Sequence, residues 1–276
     1  MSGIRKQAII SSILVYIGVF IGAVNFYFYT TEGSFSKDQY GLTTIFFSFG
    51  QNIYAFASLG IIPVLYKFFP YYKDNLPDQQ NDLLGRALIT VIIGFMLALI
   101  AGWMIEPLII RKFGGQSKLF TDYYFWVFPF GFGLLFFSLF ESYAWSLHKS
   151  IYSNFLKETG LRLFTLILIL LYFFRIISFN TFIKCFSFLF ILVAVCLLIY
   201  LLQTGKLHFS FKKSIVTKKF RKRMLTMQVL LFGGICVNTL GATIDSIVLA
   251  SIKGLADTGI YAFAFYLANL IQIPQR

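Results

Sequence analysis

Charged side chains are scarce in this chain: 13% of its 276 residues are Asp, Glu, Lys or Arg, about half the share found in a soluble domain. A water-covered globule is therefore excluded. Histidine is scarcer still, with only His148 and His208. The sequence has no Walker A motif, no D-x-D, no H-x-x-x-x-D, no H-E-x-x-H and no G-x-S-x-G. The acid–base and phosphate-cradling constellations of common enzymes are thus absent, and the chain reads as a non-enzyme without cofactor or metal. Cys185, Cys196 and Cys236 stand far apart in apolar stretches, which gives neither a disulfide framework nor a metal-ligand spacing. The apolar stretch after Arg5 and Lys6 is too long for a secretory signal and is kept as a span.

What is present is apolar. Hydrophobic residues make up 58% of the chain, aromatics 20%, and mean hydropathy is +0.77. A charge-free run of about 18 residues crosses the hydrocarbon layer as a helix. Such runs lie between Lys6 and Glu32, Asp38 and Lys67, Arg86 and Glu106, Asp122 and Glu141, Lys184 and Lys206, Arg223 and Asp245, and Asp257 and Arg276. A shorter one between Arg162 and Arg175 reaches spanning length, from Gly160 to Ser178, if both arginines snorkel to opposite interfaces. The expectation is an all-α polytopic membrane protein with about eight transmembrane helices. Residues 1–202 form a six-helix lobe, 203–223 a basic linker, and 224–276 the first two helices of a second, incomplete lobe.

Basic residues are unevenly divided between the two sides of such a topology. Placing the N-terminus in the cytoplasm puts most of them in cytoplasmic loops, including the cluster from Lys206 to Arg223, as the positive-inside rule requires. Much of the +13 net charge is then topogenic, and nucleic-acid binding does not follow from it. Within the linker, Leu207, Phe211 and Ile215 recur every fourth residue among Lys212, Lys213, Lys218, Lys219, Arg221, Lys222 and Arg223. That spacing predicts an amphipathic helix on anionic lipid headgroups. A weak internal repeat flanks the linker. Asp38-Gln39-Tyr40-Gly41-Leu42 leads into a span carrying Gln51 and Asn52, and Asp257-Thr258-Gly259-Ile260-Tyr261 leads into one carrying Asn269 and Gln272. Parallel repeats of this kind are a recurrent transporter architecture.

Ionisable and amide groups inside spans are costly unless they face a bundle interior or water. Glu141 and Asp245 are the intramembrane acids. Each reads either as a proton or Na⁺ coupling site or as an acid paired to a neighbouring helix, with Lys253 or Lys37 as partners for Asp245. Asn25, Gln51, Asn52, Gln228, Asn238 and Asn269 read singly as interhelical hydrogen-bonding groups. As a set they make one side of four spans polar, as a water-filled substrate cleft between lobes requires. For an anionic substrate the cations at the membrane boundaries are Arg5, Arg86, Arg162 and Arg175, whose planar forks suit phosphate oxygens.

Lys37-Asp38-Gln39-Tyr40-Gly41-Leu42, Gly60-Ile61-Ile62-Pro63-Val64-Leu65, Asp245-Ser246-Ile247-Val248-Leu249-Ala250 and Asp257-Thr258-Gly259-Ile260-Tyr261-Ala262-Phe263-Ala264, ahead of Asn269 and Pro274, together resemble the polysaccharide exporters, or flippases, of the multidrug/oligosaccharidyl-lipid/polysaccharide superfamily. The resemblance covers the whole chain and includes the layout of six spans, basic linker and two spans. It implies a two-lobed, all-helical transporter alternating access to a central cleft in a bacterial inner membrane. Its cargo would be a polyprenyl-diphosphate-linked oligosaccharide, with Arg5, Arg86 and Arg162 attracting the diphosphate. Span one carries no arginine, unlike the arginine-rich cavities of related flippases, and most of a second lobe is missing, so the chain reads as part of a longer transporter. The alternatives are an ion-coupled exporter of organic cations and a membrane-embedded glycosyl- or acyltransferase.

Overall fold

A computed structural model describes residues 3–31, 34–205 and 207–270. The described residues fold into helices without a strand. In chain order these are α1 (Gly3–Thr30), α2 (Lys37–Ala57), α3 (Ile61–Asn75), α4 (Leu83–Phe113), α5 (Lys118–Asp122), α6 (Val127–Ser146), α7 (Ser150–Asn154), a π-helical turn (Phe155–Gly160), α8 (Leu161–Phe173), α9 (Phe179–Ser187), α10 (Leu189–Gln203), α11 (Ile215–Ile252) and α12 (Leu255–Leu270).

Five of the helical stretches, Ile9–Thr30, Asp78–Phe113, Tyr124–Ser146, Phe179–Gln203 and Ile215–Ile252, are long and apolar enough to cross a membrane, and α2 with α3 makes a sixth as one bent span. The chain is an all-α, polytopic membrane protein. The two remaining expected spans have helical counterparts of a different kind. Residues 150–173 run as helix through α7, the π turn and α8, with Lys157, Glu158 and Arg162 on them. The apolar stretch of α12, Leu255–Ala268, is shorter than a full span.

Local chemistry sets the boundaries. The Ser36 hydroxyl accepts from the Gln39 N–H at 3.2 Å while the Gln39 side chain accepts from the Ser36 N–H at 2.9 Å, a capping box at the start of α2. α2 ends where Leu59 and Gly60 take φ of 46° and 72°. Gly60 tolerates that left-handed turn because it has no Cβ, and a Cβ there would also overlap the backbone of α11 at Gln228 and Phe232. The axis bends by 51° at this break.

α6 packs closely on α9 and α10 through aromatic rings. Phe130 stacks on Phe186 at 5.5 Å and meets Phe190 edge-on at 4.9 Å, geometries that suit aromatic quadrupoles. Because lipid is as apolar as these side chains, such packing rather than hydrophobic exclusion holds the helices together. α2 is the hub, touching α4, α6, α11 and α12. Its Gly41 abuts the Leu255 carbonyl, and a Cβ on Gly259 would stand 3.3 Å from the Gly41 nitrogen. The two turns that resemble each other in sequence therefore pack against each other.

The linker departs from expectation. Residues 207–213 are not helical, and the basic run from Lys218 to Arg223 lies in the first turns of α11. The reason is a cap: Ser214 accepts from the Thr217 N–H at 3.1 Å, which starts the helix there. Buried Asp82, just before α4, accepts from the Ser214 N–H at 3.3 Å and from the Thr217 hydroxyl at 2.8 Å. It also lies 3.6 Å from the Arg86 guanidinium. The linker is therefore fastened to the head of α4, rather than lying as a free amphipathic helix.

Candidate functional site: a charged cavity within the bundle

A cavity of about 1050 Å³ is lined by residues from α1, α2, α3, α6, the π turn, α8, α9, α10, α11 and α12. Its walls are rich in aromatic rings, with Phe26, Tyr40, Phe47, Tyr54, Tyr66 and Trp145 among them. Into this apolar frame project four charged groups: Glu141 from α6, Lys157 and Glu158 from the π turn, and Arg162 from α8.

The charges form two pairs. The Lys157 ammonium donates to a Glu141 carboxylate oxygen at 3.2 Å, the acid's side chain being 9% exposed and the lysine's 47%. The Arg162 guanidinium lies 3.5 Å from the Glu158 carboxylate, one helical turn away. A buried carboxylate needs such a partner, since an isolated charge in a low-dielectric interior costs several kcal/mol. The second carboxylate oxygen of Glu141 is buried without a hydrogen bond, as are the Asn25 side-chain oxygen and the Tyr266 hydroxyl, and all three residues line the cavity. Their hydrogen-bonding capacity is unspent, but the atoms themselves are buried rather than displayed on the walls.

α1 fixes the position of the π turn. The Thr159 hydroxyl donates to the Leu14 carbonyl at 2.9 Å, and the Asn25 amide donates to the Arg162 carbonyl at 2.9 Å. Gly18 lets the two backbones approach, since a Cβ there would overlap the Glu158 carbonyl. A Cβ at Gly22 would stand 3.4 Å from the Tyr266 hydroxyl and 3.5 Å from Arg162 Cδ, so α12 contributes its tyrosine beside the arginine. π turns recur at functional sites because they aim side chains that an α-helix would direct elsewhere.

Several expected site residues fall here and several do not. Asn25, Gln51, Glu141 and Arg162 line the cavity. Asn52 lies off it and donates to the Thr243 hydroxyl at 2.8 Å and to the Ser48 carbonyl at 2.8 Å, knitting α2 to α11. On α11 the lining residues are Leu231, Ile235 and Thr239; Gln228 stands on the same face of the helix but about a turn nearer its start, outside the lining, and Asn238 is exposed and outside it too. Asp245 is exposed and accepts from the Tyr261 hydroxyl at 3.2 Å rather than pairing with Lys253 or Lys37, so the two acids do not share a site. Arg86 belongs to the Asp82 cluster at the head of α4, outside the cavity lining. The side chains of Arg5 and Asn269 lie outside the described residues.

Lys157, Glu158 and Tyr266 were not picked out from sequence. The available signal was three charges, Lys157, Glu158 and Arg162, at the head of the only span too short without snorkelling. The cations were expected at helix ends, whereas Arg162 and Lys157 both reach the cavity. Among the described residues no group of three or more His, Cys, Asp or Glu side chains could hold a metal ion.

Comparison with known proteins gives no match among protein-family models, curated proteins or solved structures. The chemistry is therefore argued from the cavity itself. It offers two cations already matched by two carboxylates, buried hydrogen-bonding atoms without partners and a broad aromatic surface. That set suits an amphiphile whose polar part carries both anionic and hydroxyl groups.

Proposed function

We propose that this chain translocates a polyprenyl-diphosphate-linked oligosaccharide from the inner to the outer leaflet of a bacterial inner membrane for surface polysaccharide synthesis. The N-terminus lies in the cytoplasm, and access to the cavity alternates between the two sides. The observation that carries this reading is Arg162 and Lys157 inside an aromatic-walled cavity of about 1050 Å³. The volume reaches the top of the range that encloses a drug-sized ligand, more than a coupling ion requires. Arginine and lysine supply counter-charge for a diphosphate. Tyrosine and tryptophan faces present apolar area with a polar edge, suited to sugar rings that are apolar on their C–H faces and rimmed by hydroxyls. The lipid tail stays in the bilayer while the head crosses.

An exporter of organic cations is favoured less, because in each pair the base is the more exposed partner, Lys157 at 47% against Glu141 at 9% and Arg162 at 30% against Glu158 at 23%, so the cavity presents its cations rather than its acids. The decisive experiment deletes the gene in a host with no second exporter and measures access of an external sugar-modifying enzyme to the lipid-linked oligosaccharide. Accumulation on the inner face, restored to the outer face by the wild-type gene and not by Arg162→Gln, supports the proposal. Unchanged accessibility after deletion refutes it. Saturable binding of a lipophilic cation that is lost in Glu141→Gln would establish the alternative.

A further inference from the structure

A second concavity lies on the flank of the bundle and shares no residue with the charged cavity. α4 and α10 both pack on α6 and leave between them a trough of about 310 Å³. Phe136 and Phe140 of α6 form its floor, Leu88 of α4 and Val195 of α10 belong to its walls, and Phe209 of the linker also lines it. Among the described residues no polar side chain lines it. Val195 and Phe209 are exposed on the outside of the bundle, where a membrane protein meets hydrocarbon.

The linker brings charge to this trough. Directly after Phe209, the Ser210 carbonyl and the Phe211 ring lie against Gly85, and the Ser214 N–H donates to Asp82. Lys212 and Lys213 are thereby held at the head of α4, close in sequence to the residue that lines the trough. Both are exposed, and neither has an ion-pair partner among the described residues. The neighbouring acid, Asp82, is engaged by Arg86, Ser214 and Thr217. An apolar trough with uncompensated cations beside it complements an amphiphile that has one hydrocarbon chain to bury and one negative head.

We propose that the trough between α4 and α10 binds an anionic phospholipid, one acyl chain lying along α6 and the phosphate held by Lys212 and Lys213. The site narrows a diffuse attraction between basic linker and membrane to two lysines and one fixed chain, and it does not depend on what the central cavity transports. Its occupant bridges the linker to α4, α6 and α10.

The test uses the full chain in nanodiscs of equal phosphatidylglycerol and phosphatidylcholine, followed by mild detergent extraction and native mass spectrometry. One phosphatidylglycerol retained per chain, in preference to phosphatidylcholine, is expected. Lys212→Gln with Lys213→Gln keeps a lipid but lowers the preference by about fivefold for each charge removed. Val195→Trp fills the trough and removes retention of both lipids. If that variant does not give a monodisperse protein, Val195→Cys, in a background with Cys185, Cys196 and Cys236 changed to Ser, is alkylated after purification with a bulky apolar maleimide. This fills the trough of a chain already folded. Retention without headgroup preference, or retention unaffected by filling, overturns the proposal. So does recovery of a polyprenyl phosphate in place of the phospholipid, which would join the trough to the transport path.

Discussion

The Glu141–Lys157 pair permits an asymmetric prediction. Lys157→Met leaves a carboxylate whose side chain is 9% exposed without its cation, whereas Glu141→Gln leaves a lysine that is 47% exposed and can turn toward water. Removing one partner of a buried pair costs about 3–5 kcal/mol. The pair faces a cavity and the lysine is half exposed, so the low end applies, and Lys157→Met is expected to cost about 3 kcal/mol. Glu141→Gln strands only a half-exposed charge and is expected to cost under about 1 kcal/mol, in the range of exposed pairs. The double variant removes both charges and should recover to within about 1 kcal/mol of wild type, a coupling of about 3 kcal/mol. Reversible unfolding in mixed detergent micelles measures all four corners of the cycle. Equal costs for the two single variants, or additive losses in the double, would refute the argument that burial of the carboxylate dominates.

Three other outcomes follow from the geometry. Asp82→Ala deprives the Ser214 N–H, the Thr217 hydroxyl and Arg86 of their shared acceptor; a loss of about 2–3 kcal/mol and faster tryptic cleavage after Lys212 and Lys213 are expected. Asn52→Leu removes the hydrogen bond that α2 donates to the Thr243 hydroxyl of α11 and should lower stability by about 1 kcal/mol, measured by unfolding in detergent. Gly18→Val places a branched side chain against the Glu158 carbonyl and should lower stability by about 1–3 kcal/mol, measured by thermal unfolding in detergent.

Helical periodicity and charge spacing made most of the architecture readable. The charge-free runs correspond to α1, the α2–α3 pair, α4, α6, α9 with α10, α11 and α12, because in hydrocarbon only a helix satisfies its own backbone. The helix expected across the linker was wrong because Ser214, a local capping group, outweighs an amphipathic spacing that has only three apolar positions. Within the cavity, Glu141 was legible because an ionisable residue in a span must find a polar partner, and Arg162 as a cation at a membrane boundary. Lys157 and Glu158 were not: they precede the span expected from Gly160, and the π turn that carries them has no signature in the composition. The amides divided by their place along and around the helices, which a list of polar residues does not contain: Asn25 lines the cavity from α1, Asn238 is exposed, and Gln228 lies on the cavity face of α11 about a turn short of the lining.

The π turn from Phe155 to Gly160 also bears on how such a site could arise. A π bulge accommodates one additional residue without changing the phase of the helix on either side. A chain one residue shorter at this point would continue as plain α-helix, with Tyr152 still against Tyr200 and Ile169 still in the core. The ammonium of Lys157 and the carboxylate of Glu158, however, would be redirected. The share of the cavity's charge that Lys157 and Glu158 supply is therefore separable from the bundle that surrounds it, whereas Glu141 on α6 and Arg162 on α8 stay with the bundle; a single-codon insertion or deletion is a sufficient genetic step to change which partners Lys157 and Glu158 meet.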